Sequence, residues 1–195
     1  MMNKRKIGCV VMAAGNASRF GENKLAALLD GKPLIRHALE AVPEGLVTVV
    51  VTQYDEVEAI AREFGFTVIR NPHPELGISH TIRLGTEQLL DCDGIIYMVS
   101  DQPKLQKNSV KELIRVWSSQ PESIVGVCHR GKRGNPNLFP RRFFRELMSL
   151  DGDQGGNGII RANEDCLQLV EIHKNELADV DTKDALDAIS QVDNI

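Results

Sequence analysis

The sequence predicts an α/β protein whose doubly wound, mostly parallel sheet lies between two layers of helices, an α/β/α sandwich. Three observations support this prediction. Short runs rich in valine and isoleucine are apolar at nearly every position, which is typical of parallel strands covered on both faces. Stretches with apolar residues at helical spacing lie between these runs. The 195 residues contain no linker, repeat or low-complexity tract, so we expect one domain over residues 1–195.

The strands are predicted from these apolar runs, each of which has the length of a buried strand. They span residues 7–13, 46–52, 67–70, 94–100, 123–129 and 166–172. Because crossovers between parallel strands are right-handed, the connecting helices cover both faces of the sheet. Residues 130–165 are less regular, and no strand is predicted within them.

Helices are predicted where apolar residues recur on one helical face. The first begins at Pro33, a residue favoured in a first helical turn, and Gly65 ends the second. The third covers about residues 79–90, with Ser79 or His80 near its start, and a closing helix covers residues 183–189. The defining apolar positions of the first, second and fourth helices are Leu34, Ala38 and Ala41; Val57, Ile60, Ala61 and Phe64; and Val110, Leu113, Ile114 and Trp117.

Composition and charge exclude several classes of protein. A hydrophobic content of 42% and a charged content of 26% are ordinary for a globular domain. The formal net charge of −4 argues against a broad nucleic-acid surface. The four cysteines form no CxxC pair, which argues against a zinc site or a disulfide framework and predicts a reducing, cytoplasmic location. The apolar stretch behind the basic start MMNKRK is too short for a signal peptide or a membrane span, so we expect no membrane partner.

The stretch VVMAAGNASRFGENKLAAL, residues 10–28, leaves the first strand in a loop of glycine, small polar groups and two cations. In doubly wound sheets ligands bind at this carboxyl edge. Gly15 and Gly21 let a phosphate approach the backbone, and successive amides form an anion-binding nest. Arg19 and Lys24 add positive charge, which suits a polyphosphate. The spacing is neither GxGxxG nor a P-loop, and a glycine-containing turn with solvated cations remains the alternative.

Carboxylates that suit a divalent cation follow two later segments. Asp101 stands where the fourth predicted strand ends, in SDQP, and Mg²⁺ typically takes one or two protein carboxylates together with phosphate oxygens. The alternative is a turn-forming aspartate ahead of Pro103. In DVDTKDAL, either Asp179 and Asp181 both face the same site, with Asp181 as a second metal ligand, or Asp181 only caps the last helix.

The stretch NPHPELGISHTIRLG, residues 71–85, follows the third predicted strand. Gly77 and Ser79 open a helix there, in a position suited to a nucleobase or a ribose. A proline-rich loop with an ordinary helix cap explains the same residues equally well.

Six segments in order resemble the nucleotidyltransferases that act on the molybdenum cofactor, over residues 7–188. They are MAAGNASRFGENK, ELGISHTIRLG, SDQP, GNPNLF, GDQGGNGII and DVDTKDAL. Ala13-Ala14-Gly15 and Asp101-Gln102-Pro103 resemble the cytidylyl-transferring branch of this family. Four positions depart from the family pattern: His80, Ser100, Asn135 and Lys183. His80 and Asn135 lie where nucleotide or acceptor is expected, so they bear on substrate choice more than on reaction class.

The resemblance implies a Rossmann-like nucleotidyltransferase that moves CMP from CTP to the terminal phosphate of molybdopterin or the molybdenum cofactor and releases pyrophosphate. Amides of residues 15–21 would hold the β and γ phosphates, with Arg19 on the departing pyrophosphate and Lys24 on the α-phosphate. Asp101 and Asp181 would hold Mg²⁺ or Mn²⁺. Backbone groups of Ala13, Ala14 and Gly15, with the Gly77–Ser79 segment, would contact the base.

The acceptor side is expected within residues 131–160. Gly134, Asn135 and Pro136 are predicted to form a tight turn beside the acceptor. Gly155 and Gly156 either allow a flat ligand to approach the backbone or only begin a helix. A molybdenum hydroxylase apo-enzyme or its chaperone is the expected protein partner, and we expect no nucleic acid to bind.

Three other functions were weighed against the sequence. A guanylyltransferase or sugar-phosphate nucleotidyltransferase of the same fold would share Lys24 and Asp101. A nucleotide-dependent chaperone that delivers cofactor would show little turnover. A dinucleotide-binding oxidoreductase is disfavoured because GxGxxG is missing.

Overall fold

The apolar runs assemble into one seven-stranded sheet in the computed structural model, which describes residues 5–16, 20 and 23–192. The strands of the chain are β1 (Ile7–Ala13), β2 (Leu28–Leu29), β3 (Lys32–Pro33), β4 (Val47–Thr52), β5 (Thr67–Arg70), β6 (Gly94–Val99), β7 (Ile124–His129), β8 (Lys132–Pro140) and β9 (Leu167–Glu171). The order across the sheet is β5-β4-β1-β6-β8-β7-β9, and β2 pairs with β3 in a separate small hairpin.

Parallel pairing dominates the sheet because helical crossovers connect most of its strands. Strand β1 lies at the centre, where Val10 pairs in register with Val49 of β4 and Tyr97 of β6. Strand β8 is the exception, since it runs antiparallel to both β6 and β7. Its start therefore lies at the same edge of the sheet as the carboxyl ends of β1, β4, β6, β7 and β9.

The helices form two layers because alternate residues of each strand point to opposite faces. In β1, Val11 belongs to one core cluster and Val10 to the other. The first cluster takes residues from α1 (Leu34–Glu40), α2 (Asp55–Glu63) and α4 (Lys107–Ser119). The second takes residues from α3 (Ile78–Glu87), α5 (Phe144–Met148) and α6 (Asn157–Ala162). Helix α7 (Lys183–Val192) packs Leu186 and Ile189 beside a third, smaller cluster.

The predicted α/β fold with a mostly parallel sheet is confirmed. Every strand predicted from an apolar run is present, with bounds that differ by at most one residue. The irregular reading of residues 130–165 is wrong, because this segment holds β8, α5 and α6.

The predicted tight turn at Gly134–Pro136 is also wrong, because these residues lie within β8. Here β8 carries extra residues opposite Val127, since Gly126 pairs with Asn137 but Cys128 with Arg133. Proline is tolerated at such irregularities in a strand, and the bond before Pro136 is cis.

Two further observations concern the length of the helices and the state of the cysteines. No helix in the described part of the chain is long and apolar enough to cross a membrane. The four cysteines are all free thiols.

Candidate active site

A cleft of about 500 Å³ opens at the carboxyl edge of the sheet, beside the ends of β1 and β6. Ala14 and Gly15 line it from the loop after β1, and Asp101 lines it from the loop after β6. Gly77 lines the opposite wall, at the start of α3. Three segments that the sequence analysis assigned to nucleotide and metal thus face one cavity, as expected for ligand sites in doubly wound sheets.

Lys24 bridges two carboxylates at the mouth of this cleft. Its Nζ donates to Oδ2 of Asp101 over 2.8 Å and to Oδ1 of Asp181 over 3.1 Å. Burial alone would lower the pKa of Lys24, but the charge and hydrogen bonds of the two carboxylates outweigh it, so the pKa is raised. The lysine is therefore a fixed positive charge at neutral pH.

The position of Lys24 follows from its neighbours in the chain. The residue opens a short 3-10 helix, Lys24–Ala26, whose first turn is capped by the side chain of Asn23. The next residue, Leu25, is 3% exposed and packs in the core beneath the helix. Lys24 is thus held between the capping residue Asn23 and the buried residue Leu25. Its side chain lines the cleft and is 16% exposed.

Asp181 faces the site, and Thr182 makes a capping contact at the start of the last helix. The amide of Ala185 donates to the hydroxyl of Thr182, which is the capping contact at the start of α7. The amide of Val180 donates to the carbonyl of Asp101 over 2.9 Å, which holds the segment before Asp181 beside the end of β6. Of the two alternatives that the sequence left open, the structure therefore places Asp181 with Lys24 and Asp101.

Three backbone carbonyls of the loop after β1 are held by residues that follow β4. The hydroxyl of Thr52 donates to Ala13, the amide of Gln53 to Ala14, and the hydroxyl of Tyr54 to Gly15, over 2.9 to 3.0 Å. These contacts turn the carbonyls toward β4. Arg19 and Gly21, the other predicted phosphate-binding residues of this loop, lie outside the described residues.

These three supporting residues were not predicted from the sequence. Thr52, Gln53 and Tyr54 stand at the carboxyl end of a predicted strand, so the same location rule that selected Asp101 also points to them.

Gly77 is required by the shape of the opposite wall. Its φ of 81° lies in the left-handed region, and an added Cβ would lie 2.3 Å from the carbonyl oxygen of Gly152. The close approach lets the amide of Ser79 donate to that carbonyl. Ser79 is 2% exposed and donates its hydroxyl to Leu76. Among the described residues of helix α3, Ile78 and Thr81 line the cleft and Ser79 does not.

A second cavity, of about 100 Å³, adjoins the cleft and shares Met12, Ile78 and Val99 with it. The predicted acceptor residues Asn135, Gly155 and Gly156 line this second cavity, together with the rings of Tyr97 and Phe139. Gly156 also precedes α6 as its N-terminal cap, so the helix start is confirmed, and the approach of a flat ligand to this backbone stays a prediction. The fourth predicted acceptor residue, Gly134, lines a separate neighbouring cavity.

Gln102 and Asp179 form a polar pair behind the two cleft carboxylates. The Gln102 amide donates to Oδ1 of Asp179 over 2.9 Å. Partial desolvation raises the pKa of Asp179, the hydrogen bond from Gln102 opposes this, and the charges of Asp101 and Asp181 raise it further. Ser100, one of the departures noted above, donates its hydroxyl to the carbonyl of Met12.

The donor set of the cleft fits a divalent cation that arrives with a polyphosphate. Asp101 and Asp181 supply two carboxylates, both of which contact the ammonium of Lys24. No cluster of three or more acidic, histidine or cysteine side chains that could hold a metal ion occurs among the described residues. Magnesium binds in this way, through one or two carboxylates and substrate phosphates. Glu75 and Asp153 also line the cleft. A polyphosphate therefore meets several carboxylates and Lys24, so a divalent cation would be needed to offset repulsion.

A mostly parallel sheet with a lysine and two carboxylates at its carboxyl edge suits a phosphorylated ligand that binds together with a divalent cation. The chain belongs to the family with the MobA-like NTP transferase domain, whose model matches residues 9–167. It is therefore a nucleotidyltransferase by family.

Two curated relatives align over most of their lengths. Purine catabolism protein PucB of Bacillus subtilis is 25% identical, with 92% of this chain and 94% of that protein covered. A probable molybdenum cofactor guanylyltransferase of Pyrococcus horikoshii is 28% identical, with 76% and 75% covered.

Solved structures show the same fold. A nucleotidyl transferase from Methanothermobacter has a TM-score of 0.81 at 22% identity, covering 96% of this chain and 97% of that one. Rv0371c of Mycobacterium tuberculosis in complex with manganese has a TM-score of 0.78 at 21% identity, covering 95% and 98%. CMP:2-keto-3-deoxy-manno-octonic acid synthetase complexed with CTP has a TM-score of 0.76 at 16% identity, covering 97% and 98%.

Proposed function

We propose that this nucleotidyltransferase moves CMP from CTP to the terminal phosphate of molybdopterin or the molybdenum cofactor and releases pyrophosphate. One observation carries the proposal: the cleft lined by Lys24 and Asp101 adjoins a second cavity, with which it shares the lining residues Met12, Ile78 and Val99. Donor and acceptor can therefore lie side by side within one domain. The fold neighbour complexed with CTP supports a nucleoside triphosphate as the donor.

The reaction is an in-line displacement at the α-phosphorus of CTP. An oxygen of the acceptor phosphate forms the new P–O bond, and the bond from the α-phosphorus to the α–β bridging oxygen breaks. Pyrophosphate leaves with that electron pair. The acceptor phosphate is already ionised at neutral pH, so no general base is required. Positioning and charge stabilisation supply the catalysis in reactions of this type.

Each residue of the site has a role in this scheme. Lys24 donates to the α-phosphate, where charge develops, and Arg19 neutralises the departing pyrophosphate. Amides of residues 15–21 hold the β and γ phosphates. Asp101 and Asp181 hold Mg²⁺ or Mn²⁺, which when bound neutralises phosphate charge, and the manganese complex of a fold neighbour supports this assignment. Asn135, Gly155 and Gly156 position the acceptor, with Gly134 close by.

The preference for CTP rests on the loop after β1. Ala14 is 2% exposed and lines the cleft, so its methyl group narrows the space available to a base. The carbonyls of Ala13, Ala14 and Gly15 already accept hydrogen bonds, so this backbone offers mainly N–H donors. On its Watson–Crick edge cytosine presents two acceptors, N3 and O2, beside one donor, whereas guanine presents one acceptor, O6, beside two donors, N1 and N2. Donors on the protein therefore favour the pyrimidine.

A guanylyltransferase is the second candidate, since a relative of 28% identity carries that description. Pyrophosphate release from CTP, GTP, ATP and UTP, each with the pterin acceptor, decides between them. We expect CTP to exceed GTP by at least about tenfold in kcat/KM, or roughly 1.4 kcal/mol of differential transition-state binding. Ala14→Gly should narrow the gap without reversing it. A preference for GTP would overturn the cytidylyl assignment, and absence of turnover would favour a delivery chaperone. Turnover only with sugar phosphates would identify a sugar-phosphate nucleotidyltransferase.

A further inference from the structure

A third cavity, of about 350 Å³, lies on the acceptor side of the site and carries three cations. Lys132, Arg133 and Lys174 line it. It shares Asn135 and Asn157 with the second cavity, whereas no described lining residue is common to it and the nucleotide cleft. The cavity therefore adjoins the expected acceptor position and is distinct from the triphosphate position.

The positive charge of this cavity is incompletely neutralised. No ion pair to Lys132 or Lys174 occurs among the described residues, and Arg133 lies 3.5 Å from Glu164. His129 also lines the cavity, and its Nδ1 donates to the carbonyl of Ile172 and lies 3.2 Å from Glu171. The carboxylate of Asp179 is the one acid among the described lining residues. In a chain of net charge −4, such a concentration of cations favours an anionic ligand.

A tight hairpin fixes two of these cations. Strands β7 and β8 are joined by Arg130 and Gly131, both with positive φ, of 48° and 79°. Two left-handed residues in succession form the turn whose twist matches the adjoining strands. The hairpin places Lys132 opposite His129, and Arg133 opposite Cys128. The two cations therefore project from a rigid element at the carboxyl edge of the sheet.

The turn that carries the third cation is anchored by a buried carboxylate. Lys174 opens the short 3-10 helix Lys174–Leu177, in which Glu176 is 8% exposed. Glu176 accepts from the amide of Gln106 over 2.9 Å and from the hydroxyl of Ser109 over 2.6 Å. These bonds tie the turn to the start of α4. Positions fixed before a ligand arrives reduce the ordering cost of binding it.

We propose that this basic cavity binds an anionic group of the acceptor, remote from the phosphate that receives the nucleotide. The inference rests on the proposed function and extends it: the acceptor carries a second anionic group besides its terminal phosphate. Gln102 connects the two positions, since it lines the basic cavity and directly follows Asp101 in the chain. An acceptor whose phosphate lies at Asp101 can then place its second anionic group against Lys132, Arg133 and Lys174.

Steady-state kinetics test the first part of this proposal. We expect Arg133→Gln to raise the KM for the pterin acceptor about tenfold, because the guanidinium provides paired charge-assisted donors. Lys132→Gln and Lys174→Gln should each raise it about threefold, because exposed ammonium groups are screened. The KM for CTP should stay within about twofold of wild type. Lys111→Gln and Arg115→Gln, on the exposed face of α4, are matched controls that should change neither constant.

A binding experiment separates this inference from the proposed function. The imidazole of His129 reports on the cavity, and its NMR resonances can be followed while inorganic phosphate is added to the full-length protein. We expect saturable shifts in wild type that are lost in the triple variant Lys132→Gln, Arg133→Gln, Lys174→Gln. If the acceptor displaces phosphate and abolishes these shifts, an anionic group of the acceptor occupies the cavity. If the phosphate-induced shifts persist at saturating acceptor, that identification is overturned.

The outcomes are distinct. Normal turnover of wild type with the pterin acceptor, and unchanged acceptor KM in all three single variants, would overturn the inference while the proposed function stands. If wild type shows no turnover with that acceptor but phosphate shifts His129 only when the cations are present, the anion site is supported and the proposed function falls. Absence of both turnover and phosphate-induced shifts would overturn both.

Discussion

Removal of the Lys24 ammonium should strengthen the binding of a divalent cation to the nucleotide-free protein. In the structure this ammonium lies 2.8 Å from Asp101 and 3.1 Å from Asp181, so it occupies the space between the two proposed metal-binding carboxylates. A cation that enters without nucleotide must compete with it. A nucleotide triphosphate would draw Lys24 toward its α-phosphate and leave both carboxylates for the metal. Lys24→Met removes the competitor and keeps most of the aliphatic length.

The size of the effect follows from the charges. A dication at about 5 Å from an ammonium is repelled by about 1.7 kcal/mol in a medium as polar as water, which corresponds to roughly fifteenfold in affinity. The side chain of Lys24 is 16% exposed, so the effective dielectric around it is lower than that of water and the repulsion is larger than this value. Binding of Mn²⁺ should therefore become at least about tenfold tighter in the variant.

Electron paramagnetic resonance of free Mn²⁺ measures this affinity directly, without nucleotide or turnover. Lys32→Met is the matched control, because Lys32 pairs with Glu40 at the surface and lies outside the described lining of the cleft. Its affinity for Mn²⁺ should equal that of wild type. Equal or weaker Mn²⁺ binding by Lys24→Met, with the fold intact, would refute the argument that Lys24 and the metal compete for the same carboxylates.

The other predictions concern the carboxylates and the cleft wall. Asp101→Asn should remain folded and lose turnover, as should wild type in excess EDTA, and Asp181→Asn should weaken Mn²⁺ binding in the presence of CTP. Gly77→Ala should lower the free energy of unfolding by about 2–4 kcal/mol in urea titrations, because it combines left-handed strain with a backbone overlap. Asp179→Asn should raise Tm at pH 7, because the raised pKa of Asp179 in the folded protein means that folding penalises its charged form. This gain in Tm should shrink as pH falls toward the unfolded pKa of aspartate, because the penalty disappears once the carboxyl is protonated in both states.

Each of these predictions has a clear contrary result. Turnover of Asp101→Asn at the wild-type rate would remove that residue from the site. Gly158→Ala serves as control for Gly77→Ala, because a Cβ at Gly158 meets nothing within 4 Å, and equal stability of the two variants would contradict the steric argument. A Tm gain for Asp179→Asn that does not depend on pH would show that its carboxylate is not penalised by the fold.

Local patterns in the sequence were sufficient for the sheet core. Strand β1 has the predicted bounds because a run of buried apolar residues has few alternatives to a central strand. The nearness of Lys24 and Asp101 was also predictable, since both follow the carboxyl ends of parallel strands. The segment that holds Asp181 is fixed by the amide of Val180, a long-range contact that no local pattern contains.

The acceptor side was harder to predict for a physical reason. Strand β8 is antiparallel, carries Pro136, and bulges against β7, so it lacks the unbroken apolar run that marks the other strands. The assignment of Lys132 and Lys174 to one cavity depends on a hairpin and a 3-10 turn far apart in the chain. Ser79 was selected as a nucleotide contact because it opens a helix, but its amide and hydroxyl bond to Gly152 and Leu76 instead.

The most direct test of the account is the identity of the product formed from CTP and the pterin acceptor. We predict that ³¹P NMR of the reaction with Mg²⁺ shows pyrophosphate in a one-to-one ratio with a new pyrophosphate diester that joins CMP to the terminal phosphate of the acceptor. Formation of the diester from GTP in preference to CTP would contradict the cytidylyl assignment, and CTP that stays intact beside unmodified acceptor would contradict nucleotidyl transfer to this acceptor altogether.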